Sequence, residues 1–188
     1  MSEHADTRGG TSIDRSIPSA LADLFQEVIL DHYRRPRNKG SLETPTHTIT
    51  MNNPLCGDVI ELSISVRGDR IDEVRYEGRG CSISQAAVSM MTERLKGARL
   101  GEARALSAKF TRLLHGEEEL QRDEKLGDLR ALAGVSKFPV RIKCALLGFN
   151  CLDELVGEAA AGEHESAAGE REPEAGEHEP EAGPGERR

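Results

Sequence analysis

The chain has 188 residues, a net charge of −8, 3% aromatic residues and no tryptophan. A core must come from Leu, Ile, Val, Ala and Met, and the length allows one ordinary domain plus an appendage. No stretch approaches the roughly 20 apolar residues of a membrane-spanning helix, and Met1 to Ser16 has no apolar signal region, so a soluble cytoplasmic protein is expected. From Gly157 to Arg188 ten Glu face three Arg, a net −7, which leaves the rest at −1. That near-neutral remainder lacks the basic field of a nucleic-acid binder.

Met1 to Ile17 is polar and aperiodic and reads as a flexible arm over 1–17. A helix is expected from Pro18 or Ser19 to about Tyr33, with Leu21, Leu24, Phe25, Val28 and Ile29 on one stripe. The run Arg34 to Gly40 ends it. Three strands follow: Thr46 to Asn52, Val59 to Arg67 and Ile71 to Glu77, the last two joined at Gly68-Asp69. Alternation of Ile60, Leu62, Ile64 and Val66 with Glu61, Ser63 and Ser65 predicts an antiparallel sheet with one buried face.

Beyond Gly80 the period becomes helical. Helices are expected over Ser84 to Lys96 and Gly101 to Leu114. A charged connector covers Gly116 to Lys125, and a short helix fits Leu126 to Leu132. A last helix should open at Pro139 and stop at Gly157. The domain is thus read as 18–156. Residues 157–188, rich in Glu, Ala, Gly and Pro, read as a disordered acidic tail.

Four cysteines are present, Cys56, Cys81, Cys144 and Cys151. In a reducing compartment they point to metal or thiol chemistry rather than disulfides. Cys56-Gly57-Asp58 lies in a turn before a strand; alone it fits either two ligands aimed at one ion or a surface turn with a buried thiol. Cys81 follows Gly78-Arg79-Gly80 at a helix start, where unpaired amides favour a thiolate; a glycine hinge beside a structural cysteine is the other reading.

Cys144 falls in the second turn of the last helix. Arg141 is on its face and Lys143 beside it, to offset the charge of a thiolate-rich site or simply to face solvent. Together Cys56, Asp58, Cys81 and Cys144 supply the four ligands of a tetrahedral zinc site. Sulfur-rich ligation fits zinc or an iron–sulfur cluster rather than magnesium or calcium. Cys151 reads as core, and none of the histidines joins the set.

Four runs carry a resemblance: Val28 to Gly40, Asn53 to Asp58, Gly78 to Ser84 and Gly134 to Cys144. With them the chain resembles the SufU branch of the IscU/NifU-like family. The resemblance implies an α+β fold, a small three-stranded antiparallel sheet packed by helices with a long C-terminal helix, and Zn²⁺ on Cys56, Asp58, Cys81 and Cys144. It implies a partner, a PLP-dependent cysteine desulfurase of the SufS type, and Cys56 as the sulfur acceptor, freed when a histidine of the partner replaces it on the zinc. Downstream iron–sulfur assembly proteins would follow.

Lys143 stands where IscU-type chains have His, and Leu113 to Leu129 looks like the SufU insertion. Both favour sulfur transfer over the alternative, a scaffold holding a transient [2Fe–2S] cluster on the same cysteines. Leu55 replaces a usual small polar residue, and the acidic tail is outside the family pattern.

Overall fold

Strand alternation is the strongest local signal in the chain, and it fixes the centre of the structure. The computed structural model describes residues 19–168, with side chains over 23–161. Strands β1 (His47–Asn53), β2 (Asp58–Arg67) and β3 (Arg70–Arg79) form an antiparallel sheet in the order β1-β2-β3. The expected face is buried: Ile60, Leu62 and Ile64 are fully enclosed. The opposite face is polar, with Thr48 bonded to Ser63 and Thr50 to Glu61 across the β1–β2 pair. Because side chains alternate with period two, a one-residue slip would turn the apolar set to solvent, so the register is strongly specified.

Helix α1 (Ser19–Arg34) precedes the sheet. Its expected stripe is only partly covered: Val28 and Ile29 pack on the core, whereas Leu24 is 52% exposed. After α1 the chain runs along the free edge of β3, where the Tyr76 amide donates to the Asn38 carbonyl and the Gly40 amide to the Tyr76 carbonyl. That pairing covers an edge otherwise open to other strands.

Helices α2 (Ser82–Leu95) and α3 (Leu100–Leu114) follow. The connector and short helix of the sequence reading are two 3-10 stretches, Glu118–Arg122 and Glu124–Lys137, the second kinked at Gly127. They bury Leu120, Leu126, Leu129 and Leu132 against α2 and α3.

Helix α4 (Pro139–Ala168) packs on β1, β2, α2 and α3. It corrects one expectation. The helix does not stop at Gly157 but continues to Ala168. Ala159 is still buried, and the good helix formers Glu158 to Ala161 carry the ladder past one unfavourable glycine. The arm over 1–17 and the tail beyond Ala168 lie outside the described residues.

Candidate metal centre

The site lies where the β1–β2 turn, the start of α2 and the second turn of α4 meet. The turn is short because Asn53 and Asp58 are paired residues of the ladder, leaving four residues between them. Gly57 closes it with a φ of +72°, a backbone shape costly for residues with a Cβ. Cys56 rides on this turn and is partly exposed. Cys144 is fully buried in α4, and its Sγ is 3.3 Å from the Cys56 Sγ.

Asp58 is the first residue of β2 and is 1% exposed. Its Oδ1 accepts the Cys81 backbone N–H at 3.0 Å, while its buried Oδ2 accepts no hydrogen bond. Leaving a buried carboxylate oxygen unpaired is costly unless something binds it. The approach depends on Gly80: a Cβ there would lie 2.5 Å from the Ser84 Oγ and 2.7 Å from the Asp58 Cγ.

Burial is the largest influence on Asp58 and pushes its pKa up. The polar hydrogens of Cys56, Ser84 and Cys81 outweigh it, so the carboxyl ends below its ordinary value. Burial, then the thiol of Cys56 and the sulfur of Cys81, push Cys144 well above the ordinary thiol value.

Ligand atoms of Cys56, Asp58 and Cys144 all lie within 4.8 Å of one another. Cys81 caps α2, as its helix-start position suggested, but its sulfur stands outside that set and donates to the Ser84 Oγ at 3.8 Å. It still acts on both Asp58 and Cys144. Arg141 and Lys143 are exposed, and neither is among the groups that shift Cys144 or Asp58. Two thiols and a buried carboxylate with one unpaired oxygen, grouped within 4.8 Å and with a third thiol adjacent, fit a sulfur-rich zinc site. Leu55, Phe138 and Val140, each at least 59% exposed, flank these segments.

A second grouping, His32, Glu93 and Asp128, also brings ligand atoms together. Buried His32 is already bonded there, to the Ser89 Oγ at 2.9 Å and the Asp128 Oδ2 at 3.1 Å. The sequence reading left His32, like the other histidines, outside the candidate ligand set; its side chain ties α1 to α2. Asn53 and Ser84 had no role in that reading either. An asparagine before a proline-containing turn was the available signal for Asn53.

A family model for the NifU-like N-terminal domain matches residues 24–145. The chain belongs to the NifU-like N-terminal domain family. Among its relatives, the zinc-dependent sulfurtransferase SufU of Bacillus subtilis (strain 168) is 44% identical over 147 residues, covering 78% of this chain and 99% of the relative. The iron–sulfur cluster assembly scaffold protein IscU of Streptococcus pyogenes serotype M1 is 40% identical, covering 78% and 91%. A solved candidate iron–sulfur scaffold protein for the SUF system, from Fervidobacterium islandicum AW-1, superposes with a TM-score of 0.64 at 30% identity, covering 69% and 94%. The α+β fold with its three-stranded sheet and long C-terminal helix is that of this family. No helix among the described residues is long and apolar enough to cross a membrane.

Proposed function

We propose that this NifU-like chain is a zinc-dependent sulfur acceptor in iron–sulfur cluster assembly, taking persulfide sulfur onto Cys56 from a SufS-type, PLP-dependent cysteine desulfurase in the cytoplasm. The observation that carries the reading is the convergence of the Cys56 and Cys144 thiols on the Asp58 carboxylate, whose buried Oδ2 has no hydrogen-bond partner. Cys81, beside them, completes the proposed donor set. Zinc, when bound, supplies the positive charge that keeps its cysteine ligands deprotonated at neutral pH.

The roles of the residues follow from their positions. Asp58 is buried, and its carboxyl is held by the Cys81 amide, so it is a fixed ligand. Cys144 is held inside α4. Cys56 and Cys81 are both partly exposed, but Cys81 is fixed at the start of α2 while Cys56 rides on the glycine turn, so the Cys56 thiolate is the one freer to meet an incoming persulfide. That thiolate attacks the outer sulfur of the donor persulfide. The donor S–S bond breaks, a new S–S bond forms on Cys56, and the donor cysteine leaves as a thiolate. Arg141 and Lys143, exposed on α4, give the acidic intermediates a cationic flank. The apolar rim of Leu55, Phe138 and Val140 suits protein docking.

The test is cysteine desulfurase turnover with and without this protein, together with metal analysis. The expected result is one zinc per chain, stimulated turnover, and one added sulfur on Cys56 by mass spectrometry. Persulfuration of a Cys56→Ala variant, with turnover still stimulated, would remove Cys56 from the acceptor role. The scaffold reading draws on the IscU name of the Streptococcus relative. It requires a stable, transferable [2Fe–2S] cluster after anaerobic reconstitution, and such a cluster would replace the sulfur-transfer reading.

A further inference from the structure

We propose that His32, Glu93 and Asp128 form a second metal site, for a divalent first-row transition ion held by nitrogen and oxygen rather than sulfur. It shares no residue with the cysteine centre and does not rest on the function proposed above.

Three elements meet at this point. His32 lies in the last turn of α1, and Glu93 lies near the end of α2. Asp128 follows Gly127, whose φ of +54° breaks the second 3-10 stretch and turns the chain. The His32 Nε2 is 3.1 Å from the Asp128 Oδ2 and 3.7 Å from the Glu93 Oε2. One ligand atom from each of the three residues lies within 4.8 Å of the other two. Metal–ligand bonds of about 2.0–2.2 Å place neighbouring donors on one ion roughly 3–3.5 Å apart. Small rotations of the two carboxylates therefore close the site.

The outer partners suit a ligating imidazole. An ion on Nε2 needs the ring hydrogen on Nδ1, and Nδ1 is 2.9 Å from the Ser89 Oγ. That oxygen already accepts the Arg37 amide and has a second lone pair for the ring hydrogen. The ring is 1% exposed, so its orientation is fixed. Arg37 also pairs through Nε with the Glu93 Oε1 at 3.7 Å, which leaves Oε2 on the histidine side.

The surroundings favour a hydrated cation. A cavity of about 270 Å³ borders His32 and Asp128 and is lined also by Glu27 and Asp31. It offers two further carboxylates and room for the waters that complete an ion's coordination. Glu93 and Asp128 are 42% and 58% exposed, so the ion would exchange with solvent. One imidazole and two carboxylates suit manganese, iron or zinc, and bind more weakly than a thiolate-rich centre binds zinc. A bound ion would clamp α1, whose Leu24 is 52% exposed, onto α2 and the 3-10 stretch.

The experiment uses the full-length protein carrying one zinc per chain, which the cysteine-rich centre takes first. It is titrated with Mn²⁺, an ion that prefers nitrogen and oxygen donors. Free Mn²⁺ is read by electron paramagnetic resonance, and the site by broadening of amide signals in nuclear magnetic resonance. One Mn²⁺ should bind per chain, broadening His32, Glu93 and Asp128 first. Asp128→Asn and Glu93→Gln, both changes of half-exposed side chains, should each weaken binding more than about tenfold. Losing even an outer partner of a metal ligand costs at least that much. Glu154→Gln, at an exposed acid on α4, should leave binding unchanged.

A protein that binds no Mn²⁺ holds an ion pair only, of His32 with the two carboxylates, and overturns the proposal. So does broadening confined to the glutamate-rich residues 157–188, or an affinity unmoved in either Asp128→Asn or Glu93→Gln.

Discussion

The sulfur atoms of Cys56 and Cys144 lie 3.3 Å apart although 88 residues separate them in the chain. A sheet turn and a helix are thus joined through a pair of thiols, and the Asp58 carboxylate, with one oxygen unpaired, lies within 4.8 Å of both. The binding of a cation there should link sheet to helix, so metal loading and stability should move together.

Asp58→Asn separates the two consequences. The substitution preserves shape but removes the negative ligand, so zinc affinity should fall by more than the roughly 10–100-fold seen when an outer partner of a metal ligand is lost. In metal-free protein the hydrogens of Cys56, Ser84 and Cys81 outweigh burial and hold the carboxyl below its ordinary value, so the same change should lower thermal stability modestly there and much more in the zinc-loaded form. Differential scanning calorimetry with and without zinc checks this. A variant that loses stability equally in both forms would point to a packing role for Asp58 instead.

Gly80→Ala tests the close approach behind Asp58. The new Cβ would lie 2.5 Å from the Ser84 Oγ and 2.7 Å from the Asp58 Cγ, so the α2 start and the carboxylate must part. Overpacking of this kind costs about 1–3 kcal/mol. Urea unfolding should show that loss, and zinc titration should show weakened binding. Unchanged zinc affinity would mean that Asp58 reaches the metal without help from this contact.

The pH dependence of stability should change with metal. In metal-free protein, burial first, then Cys56 and Cys81, raise the Cys144 thiol above its ordinary value of 9.0, and burial pushes Cys151 up to about 12. A raised folded value means that the native state holds its proton longer than the unfolded chain. The contribution is therefore present below pH 9 and is lost as pH rises from there toward the folded values. Zinc-loaded protein should behave the other way. Its ligands are already deprotonated, so stability falls toward acid as protons compete with the metal. Urea midpoints from pH 6 to 10, with and without a chelator, give the two slopes.

Ser89→Ala tests the network on the far side of α2. The Ser89 Oγ accepts the Arg37 amide at 2.9 Å and bonds the Nδ1 of His32, both at a residue with no exposure. Removing it strands two polar groups, with an expected loss of about 1–3 kcal/mol by chemical denaturation. Zinc content should be unchanged, because the serine touches none of the proposed zinc ligands.

The strands and the candidate ligands were legible in the sequence for physical reasons. Ile60, Leu62 and Ile64 alternate strictly with polar residues, and only one strand register buries them. Cys56 and Asp58 flank a glycine in a turn, and Cys81 follows glycines at a helix start, so their backbone settings are local facts. The joining of Cys56 to Cys144, the network of His32 with Ser89 and Asp128, and the contact of Asn53 with Cys144 are long-range. Periodicity carries no information about them. The 3-10 stretches were read loosely because their Leu120, Leu126 and Leu129 contacts, not propensity, hold them in place.

Gly157 is where the sequence signal misled, and it allows a decisive substitution. A glycine after a long apolar helix ordinarily marks a left-handed cap, and there an added Cβ is costly. In α4 Gly157 lies inside the helix, and a Cβ at that position would meet nothing within 4 Å. Just before it, the Val156 carbonyl accepts a bond from the Arg104 guanidinium at 3.4 Å, and just after it Ala159 is buried. Gly157→Ala should therefore stabilise the protein by about 0.5–1 kcal/mol through lower backbone entropy in the unfolded chain. Urea unfolding measures the sign directly. A gain places 157 within a continuous helix, whereas a loss would restore the glycine cap and end the helix at Val156.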